Sequence, residues 1–154
     1  MNTRPGFWPG FGAGVATTFV FGIAAIFAVA FLWTGPQLVV TATAPDTAVV
    51  GEEFTVSIEV FNPHAESVEL DNIEASSQTL ELFDVTAVYP EGTRSDFFGI
   101  GVWYLDKVIV PSAQQLVTIN MRARRPGMGL IELALCNAYE DCSPVVHPIE
   151  IVSR

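Results

Sequence analysis

The sequence predicts an all-β fold, an antiparallel β-sandwich, preceded by one transmembrane α-helix. Three observations support this prediction. The 23 residues Phe11–Trp33 are apolar or small apart from two threonines, and no charged residue lies between Arg4 and Asp46. From residue 37 onward, apolar and polar residues alternate over short runs, which is the periodicity of half-buried strands. Turn-forming pairs such as Asn62-Pro63 separate these runs.

The composition excludes two classes of protein. Half of the residues are hydrophobic and only 16% are charged, whereas disordered chains are poor in apolar residues. Seven basic and seventeen acidic residues give a net charge of −10. Because nucleic-acid-binding proteins neutralise phosphates with Lys and Arg, we expect no nucleic-acid partner.

The apolar segment Phe11–Trp33 is long enough to be a transmembrane helix. A helix of this length spans about 35 Å, and the hydrocarbon core of a bilayer is about 30 Å thick. Trp8 and Trp33 flank the segment, where aromatic rings prefer the membrane interface. The alternative is a cleaved signal peptide, but the apolar region of such a peptide is only about 7–15 residues long. We therefore predict a retained helix that anchors the chain in the lipid bilayer.

Arg4 predicts the orientation of this helix. It is the only basic residue before Arg94, and basic residues next to a membrane span favour the cytoplasmic side. We expect a short cytoplasmic N-terminus (1–10), the helix (11–33), a linker (34–36) and an extracytoplasmic, or periplasmic, sandwich (37–154). The predicted location is the cell membrane, which the chain crosses once.

One face of the predicted helix carries small residues. Gly10, Gly14, Thr18 and Gly22 recur every four residues, so they share one side of a helix. Small residues with this spacing let two helices approach closely. We predict that these four residues form a helix-packing interface with another membrane protein.

The alternation beyond residue 36 predicts eight or nine strands. In Glu53–Asn62, four apolar residues alternate with residues that point the other way. Similar runs predict further strands at Gln37–Ala44, Ser67–Ala75, Thr79–Val88, Phe97–Leu105, Lys107–Val110, Gln115–Ala123, Leu130–Cys136 and Val145–Val152. No run has a sustained helical period, so we expect two packed antiparallel sheets and almost no helix.

Two segments resemble a known group of domains. VVGEEFTVSIEVFNP (Val49 to Pro63) is similar to the opening strands of bacterial Ig-like domains, in which a Gly-Glu turn leads into an alternating strand. IVPSAQQLVTINMRARRPG (Ile109 to Gly127) resembles the paired strands and the Pro-Gly turn of the same group. The resemblance implies an Ig-like sandwich in an extracytoplasmic setting, and it implies no particular activity.

The two cysteines predict a disulfide bond. Cys136 and Cys142 are separated by five residues, and thiols this close tend to oxidise outside the cytoplasm. The bond would close the turn between the last two strands. The spacing does not match the Cys-x-x-Cys motif of redox enzymes, so we expect a structural role.

A copper site is the alternative use of Cys142. The segment from Cys142 to His147 resembles the ligand loop of cupredoxins, which are small β-sandwiches that bind copper. Such a site needs a second histidine and usually an axial methionine. His64 lies 78 residues upstream of Cys142, and no methionine follows His147. We therefore expect no metal ligands and no cofactor.

The aromatic segment Phe97–Tyr104 is a candidate docking strand. In a continuous strand, alternation places Phe97, Gly99, Gly101 and Trp103 on one face. Glycines flanked by aromatic rings leave a flat surface of the kind that binds a partner. The alternative is that the fold covers both faces of this strand.

These observations favour a non-catalytic protein. No nucleophile-elbow motif accompanies either histidine, so we expect no enzyme activity. We expect an accessory subunit of a multi-subunit membrane complex, for example a respiratory or photosynthetic one, that contacts other subunits through its helix and its outer domain. The alternatives are a membrane-tethered cupredoxin-like electron carrier and a surface adhesion or ligand-binding module.

Overall fold

Two β-sheets pack face to face in the computed structural model, which describes residues 35–154. The strands are β1 (Val39–Thr43), β2 (Thr47–Val49), β3 (Glu53–Phe61), β4 (Val68–Ala75), β5 (Phe83–Tyr89), β6 (Thr93–Phe97), β7 (Ile100–Ile109), β8 (Gln114–Ala123), β9 (Gly127–Asn137) and β10 (Cys142–Val152). One short helix, α1 (Ser77–Leu82), connects β4 to β5.

The strand order defines the two sheets. One sheet has the order β1-β3-β8-β5, and the other has the order β2-β10-β9-β4-β7-β6. Neighbouring strands are antiparallel apart from β2 and β10, which are parallel. The predicted all-β sandwich is therefore confirmed for residues 35–154.

The core lies between the sheets, and alternation along each strand fills it. In β3, Val56, Ile58 and Val60 are fully buried, as their period of two predicts. Phe83 of β5 and Ile131 of β9 reach the same core from the opposing sheets. Burying a side chain of this size stabilises the fold by about 1.5–3 kcal/mol, so the apolar faces hold the sheets together.

The prediction of a strand over Thr79–Val88 is wrong in its first half, where α1 forms. Ser76 caps this helix, because its Oγ accepts a hydrogen bond from the Thr79 backbone N–H at 3.1 Å. The buried Thr79 hydroxyl accepts from the Glu132 N–H at 2.8 Å and donates to the Glu132 carbonyl at 3.1 Å. These bonds tie α1 to β9, and a strand at this place would lose them.

The predicted break between Phe97–Leu105 and Lys107–Val110 is also wrong, since β7 runs through Asp106. A bulge in β7 explains this continuity. Leu70 of β4 pairs with Lys107 and Asn72 pairs with Tyr104, so a step of two residues in β4 faces a step of three in β7. Asp106 lies within the longer step and has a φ of 48°. A bulge adds one residue to a strand without ending it.

The predicted transmembrane helix lies outside the described residues. Within 35–154, no helix is both long enough and apolar enough to cross a membrane. The predicted helix-packing residues Gly10, Gly14, Thr18 and Gly22 and the interface aromatics Trp8 and Trp33 also lie outside this range.

Candidate functional site

The β6–β7 hairpin ends in an unusual turn. Phe97 pairs with Ile100, so the loop consists of only Phe98 and Gly99. Their φ values are 49° and 82°, and positive φ at both central residues is the pattern of a type I′ turn. Asn-Gly is the sequence that best suits this turn. Here a bulky phenylalanine occupies the first position.

The two aromatic rings at this turn face solvent. Phe98 is 92% exposed and Phe97 is 64% exposed. Their ring centroids lie 4.5 Å apart in an edge-to-face arrangement, so the rings contact each other rather than the core. We call Phe97, Phe98 and the neighbouring Ile100 the apolar tip.

The predicted docking face of Phe97, Gly99, Gly101 and Trp103 does not exist as one surface. The first two residues are exposed, whereas Gly101 and Trp103 are buried. The two-residue turn interrupts the predicted continuous strand, so Phe97 shares a face with Ile100 instead of Trp103. Alternation cannot be counted through a turn, which is why the prediction failed for this set of four.

Trp103 belongs to the edge of the core. It is only 6% exposed and pairs with Ile73 of β4. The Arg94 guanidinium lies over its ring at 5.3 Å from the centroid. Arg94 also forms an ion pair with Asp96, in which Nη2 lies 2.9 Å from Oδ1. Gly101 leaves room for the ring, because a Cβ there would lie 2.8 Å from it.

The outer face of the six-stranded sheet carries a shallow depression beside the apolar tip. Its volume is about 340 Å³. Its lining consists of Glu74, Ser76, Ile100, Glu132, Leu133, Ala134, Pro144 and Val146. The strand registers explain this set, because cross-strand neighbours bring Pro144, Ala134 and Glu74 side by side. Most of the lining is therefore apolar, and its carboxylates are Glu74 and Glu132.

Ion pairs neutralise most basic residues away from this depression. In the described part of the chain, five arginines form ion pairs: Arg94 with Asp96, Arg122 with Glu53, Arg124 with Asp84, Arg125 with Glu81, and Arg154 with Glu52. The carboxylates of the depression have no such partner among residues 35–154. The six-stranded sheet therefore presents uncompensated negative charge on its outer face.

The Arg124–Asp84 pair shifts the ionisation of both groups. A hydrogen bond from the Arg124 guanidinium lowers the pKa of Asp84, and the same bond raises the pKa of Arg124. The Nε–Oδ1 distance is 2.9 Å. Both side chains are about half exposed, so the pair contributes little stability.

A second, acidic concavity of about 470 Å³ lies near the disulfide end of the same sheet. Asp71, Glu74, Glu140, Asn72 and Tyr104 contribute to its wall. Clustered carboxylates alone do not define a cation site, since cations such as Ca²⁺ need six to eight converging oxygens. Among residues 35–154, no group of three or more His, Cys, Asp or Glu side chains is placed to hold a metal ion.

The predicted disulfide bond between Cys136 and Cys142 is confirmed. The two residues face each other across β9 and β10. Asn137 organises the enclosed turn, because its buried Oδ1 accepts from the N–H groups of Tyr139 and Asp141 at 2.9 and 3.0 Å. Its Nδ2 donates to the Pro36 carbonyl at 2.9 Å, so this turn also holds the first residues of the domain.

The structure does not favour the copper site. The Cys142 sulfur is bonded to Cys136, which leaves no thiolate for a metal. His147 Nε2 lies 3.3 Å from the Pro45 carbonyl, and His64 Nε2 lies 2.8 Å from the Gln37 carbonyl. Each imidazole therefore has its own backbone partner.

Sequence reasoning missed two features of this surface. The apolar tip includes Phe98 and Ile100, which alternation predicts to lie in the middle of a strand. Gly99 is only a weak signal for this turn, because Phe-Gly is not among the pairs typical of two-residue hairpins and an isolated glycine in a strand also indicates a bulge. The depression could not be found from sequence, since Val146 and Glu132 meet Ile100 only through strand pairing.

Comparisons with known proteins identify the fold and no family. No family model matches the sequence, and no curated protein matches it. A cohesin module from a Clostridium perfringens family 33 glycoside hydrolase is similar, with a TM-score of 0.51 and 12% identity over 78% of this chain and 100% of that chain. The CARDB domain of the PF1109 protein from Pyrococcus furiosus, solved in complex with di-metal ions, has a TM-score of 0.50 and 16% identity over 76% and 89% of the two chains.

A cupredoxin domain, that of amoB from Nitrosocaldus yellowstonii, has a TM-score of 0.49 and 8% identity over 75% of this chain and 85% of that chain. Because the identities to the cohesin module and the CARDB domain are low, these two similarities indicate a shared β-sandwich architecture and do not transfer an activity.

Proposed function

We propose that this chain is a non-catalytic accessory subunit of a multi-subunit membrane protein complex, for example a respiratory or photosynthetic one. The N-terminal segment anchors the chain in the cell membrane, with its N-terminus in the cytoplasm. The β-sandwich lies on the extracytoplasmic side and binds a neighbouring subunit. The chain holds no cofactor in this proposal, and its contribution is to the stability of the assembly.

The observation that carries this proposal is the exposure of Phe98. A non-glycine residue in the left-handed region costs roughly 1–2 kcal/mol, and a ring that is 92% exposed regains little of this by burial. Folding therefore does not explain a phenylalanine at this position. Aromatic residues are enriched at the centres of protein interfaces, where they become buried on binding.

The predicted membrane segment supports the same proposal. Its glycine stripe, defined by Gly10, Gly14, Thr18 and Gly22, is suited to close helix packing. An anchored domain needs only a modest interface, because a second contact within one assembly forms at a high effective concentration. The apolar tip would serve as this second contact.

The experiment is co-purification of the full chain in mild detergent. We expect wild-type protein to retain defined partner subunits and Phe98→Asn to retain about tenfold less, which corresponds to a loss of about 1.4 kcal/mol in binding free energy. The matched control is Leu116→Asn, which removes an exposed apolar side chain from β8 in the other sheet. Equal retention by Phe98→Asn and the control would contradict a role for the tip. A wild-type chain that purifies alone would favour the adhesion module instead.

A further inference from the structure

We infer that the depression on the outer face of the six-stranded sheet binds a basic and apolar segment of a partner polypeptide. This inference rests on the proposed function, because it names the chemistry of the partner that the accessory subunit contacts. It is carried by the juxtaposition of an apolar floor, two unpaired carboxylates and the apolar tip.

The apolar floor of the depression is accessible. Val146 is 61% exposed and Ile100 is 36% exposed, and Pro144 and Ala134, which are cross-strand partners, complete its apolar lining. The exposed ring of Phe97 continues this surface, since Phe97 and Ile100 are cross-strand partners on the same face. A segment with aliphatic side chains would remove these groups from water, which is the main favourable term in association.

The two carboxylates of the depression define the charge of its occupant. Ser76 Oγ donates a hydrogen bond to Glu132 Oε2 at 2.9 Å. Because a carboxylate can accept about four hydrogen bonds, most of the acceptor capacity of Glu132 stays free. No lysine or arginine among residues 35–154 forms an ion pair with Glu74 or Glu132. A lysine or arginine of the partner would therefore find acceptors beside an apolar floor.

The basic residues of the six-stranded sheet are directed elsewhere. Arg94 is held by Asp96 and lies over Trp103. Lys107 pairs with Leu70, at the other end of β7 from the tip. The sheet thus does not neutralise Glu74 and Glu132 with its own residues. In this proposal, the positive charge that pairs with them comes from the partner.

Charge argues against two other occupants. Residues 35–154 contain seventeen acidic and six basic residues, so a second copy would bring like charges together. An anionic lipid headgroup would be repelled for the same reason. Electrostatic complementarity of opposite sign increases the rate of encounter and selects the partner.

The test uses the full chain in mild detergent and short synthetic peptides of alternating lysine and valine or alternating glutamate and valine. We expect the lysine peptide to bind wild-type protein about tenfold more tightly than it binds the double variant Glu74→Gln/Glu132→Gln. The matched control is Glu59→Gln/Glu91→Gln, which removes the same charge at exposed positions outside this sheet. The inference is overturned if the two double variants bind the lysine peptide equally, or if the glutamate peptide binds wild-type protein as tightly.

Carbodiimide cross-linking of the native complex tests the same contact with the natural partner. We expect amide bonds from Glu74 or Glu132 to a lysine of another protein, identified by mass spectrometry. Cross-links to Lys107 of a second copy, or no cross-link at either glutamate, would overturn the inference. These outcomes would overturn the inference alone. The proposed function would fail on a different outcome, namely a wild-type chain that retains no other subunit on purification.

Discussion

Phe98 occupies a position in which its backbone is strained and its ring is solvated. The strain arises because Cβ crowds the carbonyl group at positive φ. Contact with Phe97 recovers only part of this cost, since an edge-to-face pair contributes about 0.5–1.5 kcal/mol and less when it is exposed. Stability and partner binding should therefore respond in opposite directions at this residue.

We predict that Phe98→Asn stabilises the domain by about 0.5–1 kcal/mol, because asparagine tolerates positive φ and Asn-Gly is the preferred pair for this turn. Thermal unfolding of the full chain in detergent should show a melting temperature a few degrees higher. Phe97→Asn is the comparison, since Phe97 has no positive φ and should give no such gain. A lower melting temperature for Phe98→Asn would show that the exposed ring stabilises the fold.

The Arg124–Asp84 pair predicts a small pH dependence of stability. The folded pKa of Asp84 is lowered below its usual value of 3.8, so its contribution is complete above that pH and is lost as the pH falls through the lowered pKa. We expect Arg124→Gln to cost a few tenths of a kcal/mol at neutral pH. Urea unfolding should show that this difference disappears in strong acid, and a difference that grows on acidification would contradict the assignment.

At the scale of elements, local bonds decide how the strands are connected. The hydroxyl of Thr79 and the cap at Ser76 hold α1 against β9 where alternation predicted a strand. In the turn after β9, the side chain of Asn137 satisfies three polar groups. Buried polar groups need such partners, so these two connections have conformations that apolar periodicity does not encode.

The disulfide bond between β9 and β10 should contribute measurable stability. Replacing both Cys136 and Cys142 with alanine removes the closure of a short loop, and we expect a loss of roughly 2 kcal/mol in the free energy of unfolding. A phosphine reductant should lower the stability of wild-type protein by a similar amount and leave the double variant unchanged. Denaturant titration with and without reductant measures both effects, and a wild-type chain that is insensitive to complete reduction would contradict this prediction.

At the scale of the whole molecule, charge is distributed unevenly between the two sheets. The arginines near the four-stranded sheet are engaged with nearby carboxylates, whereas the outer face of the six-stranded sheet keeps Glu74 and Glu132 free of ion pairs within residues 35–154. This asymmetry gives the domain one face of uncompensated negative charge. The apolar tip lies beside that same face, so in the proposed complex apolar and electrostatic contacts would act on one basic partner.

In the proposed complex, the predicted membrane helix contributes a second contact. We expect Gly14→Leu/Gly22→Leu to separate the chain from its complex in mild detergent, because the larger side chains prevent close helix packing. Ala16→Leu/Ala24→Leu places the same side chains about 200° away around a helix, and this control should retain the partners. Co-purification unchanged by the glycine substitutions would exclude the stripe as an interface.

Much of the domain was predictable because its signals are local. The alternation of Glu53–Asn62 predicted β3 and its buried face, and short spacing predicted the disulfide bond. The docking face was not predictable from alternation. The turn at Phe98-Gly99 places Phe97 opposite Ile100, so Phe97 and Trp103 lie on different faces of the sheet. The only local sign of that turn is Gly99, and Phe-Gly is not a pair typical of two-residue hairpins.

The sequence by itself determined the all-β class of residues 37–154 and the pairing of Cys136 with Cys142, because periodicity and proximity along the chain are properties of neighbouring residues. Only the tertiary structure decided that Ile100, Val146 and Glu132 share one depression while Trp103 is buried. Those relations depend on the pairing of strands that are far apart in sequence, and pairing is fixed by the packing of the two sheets as a whole.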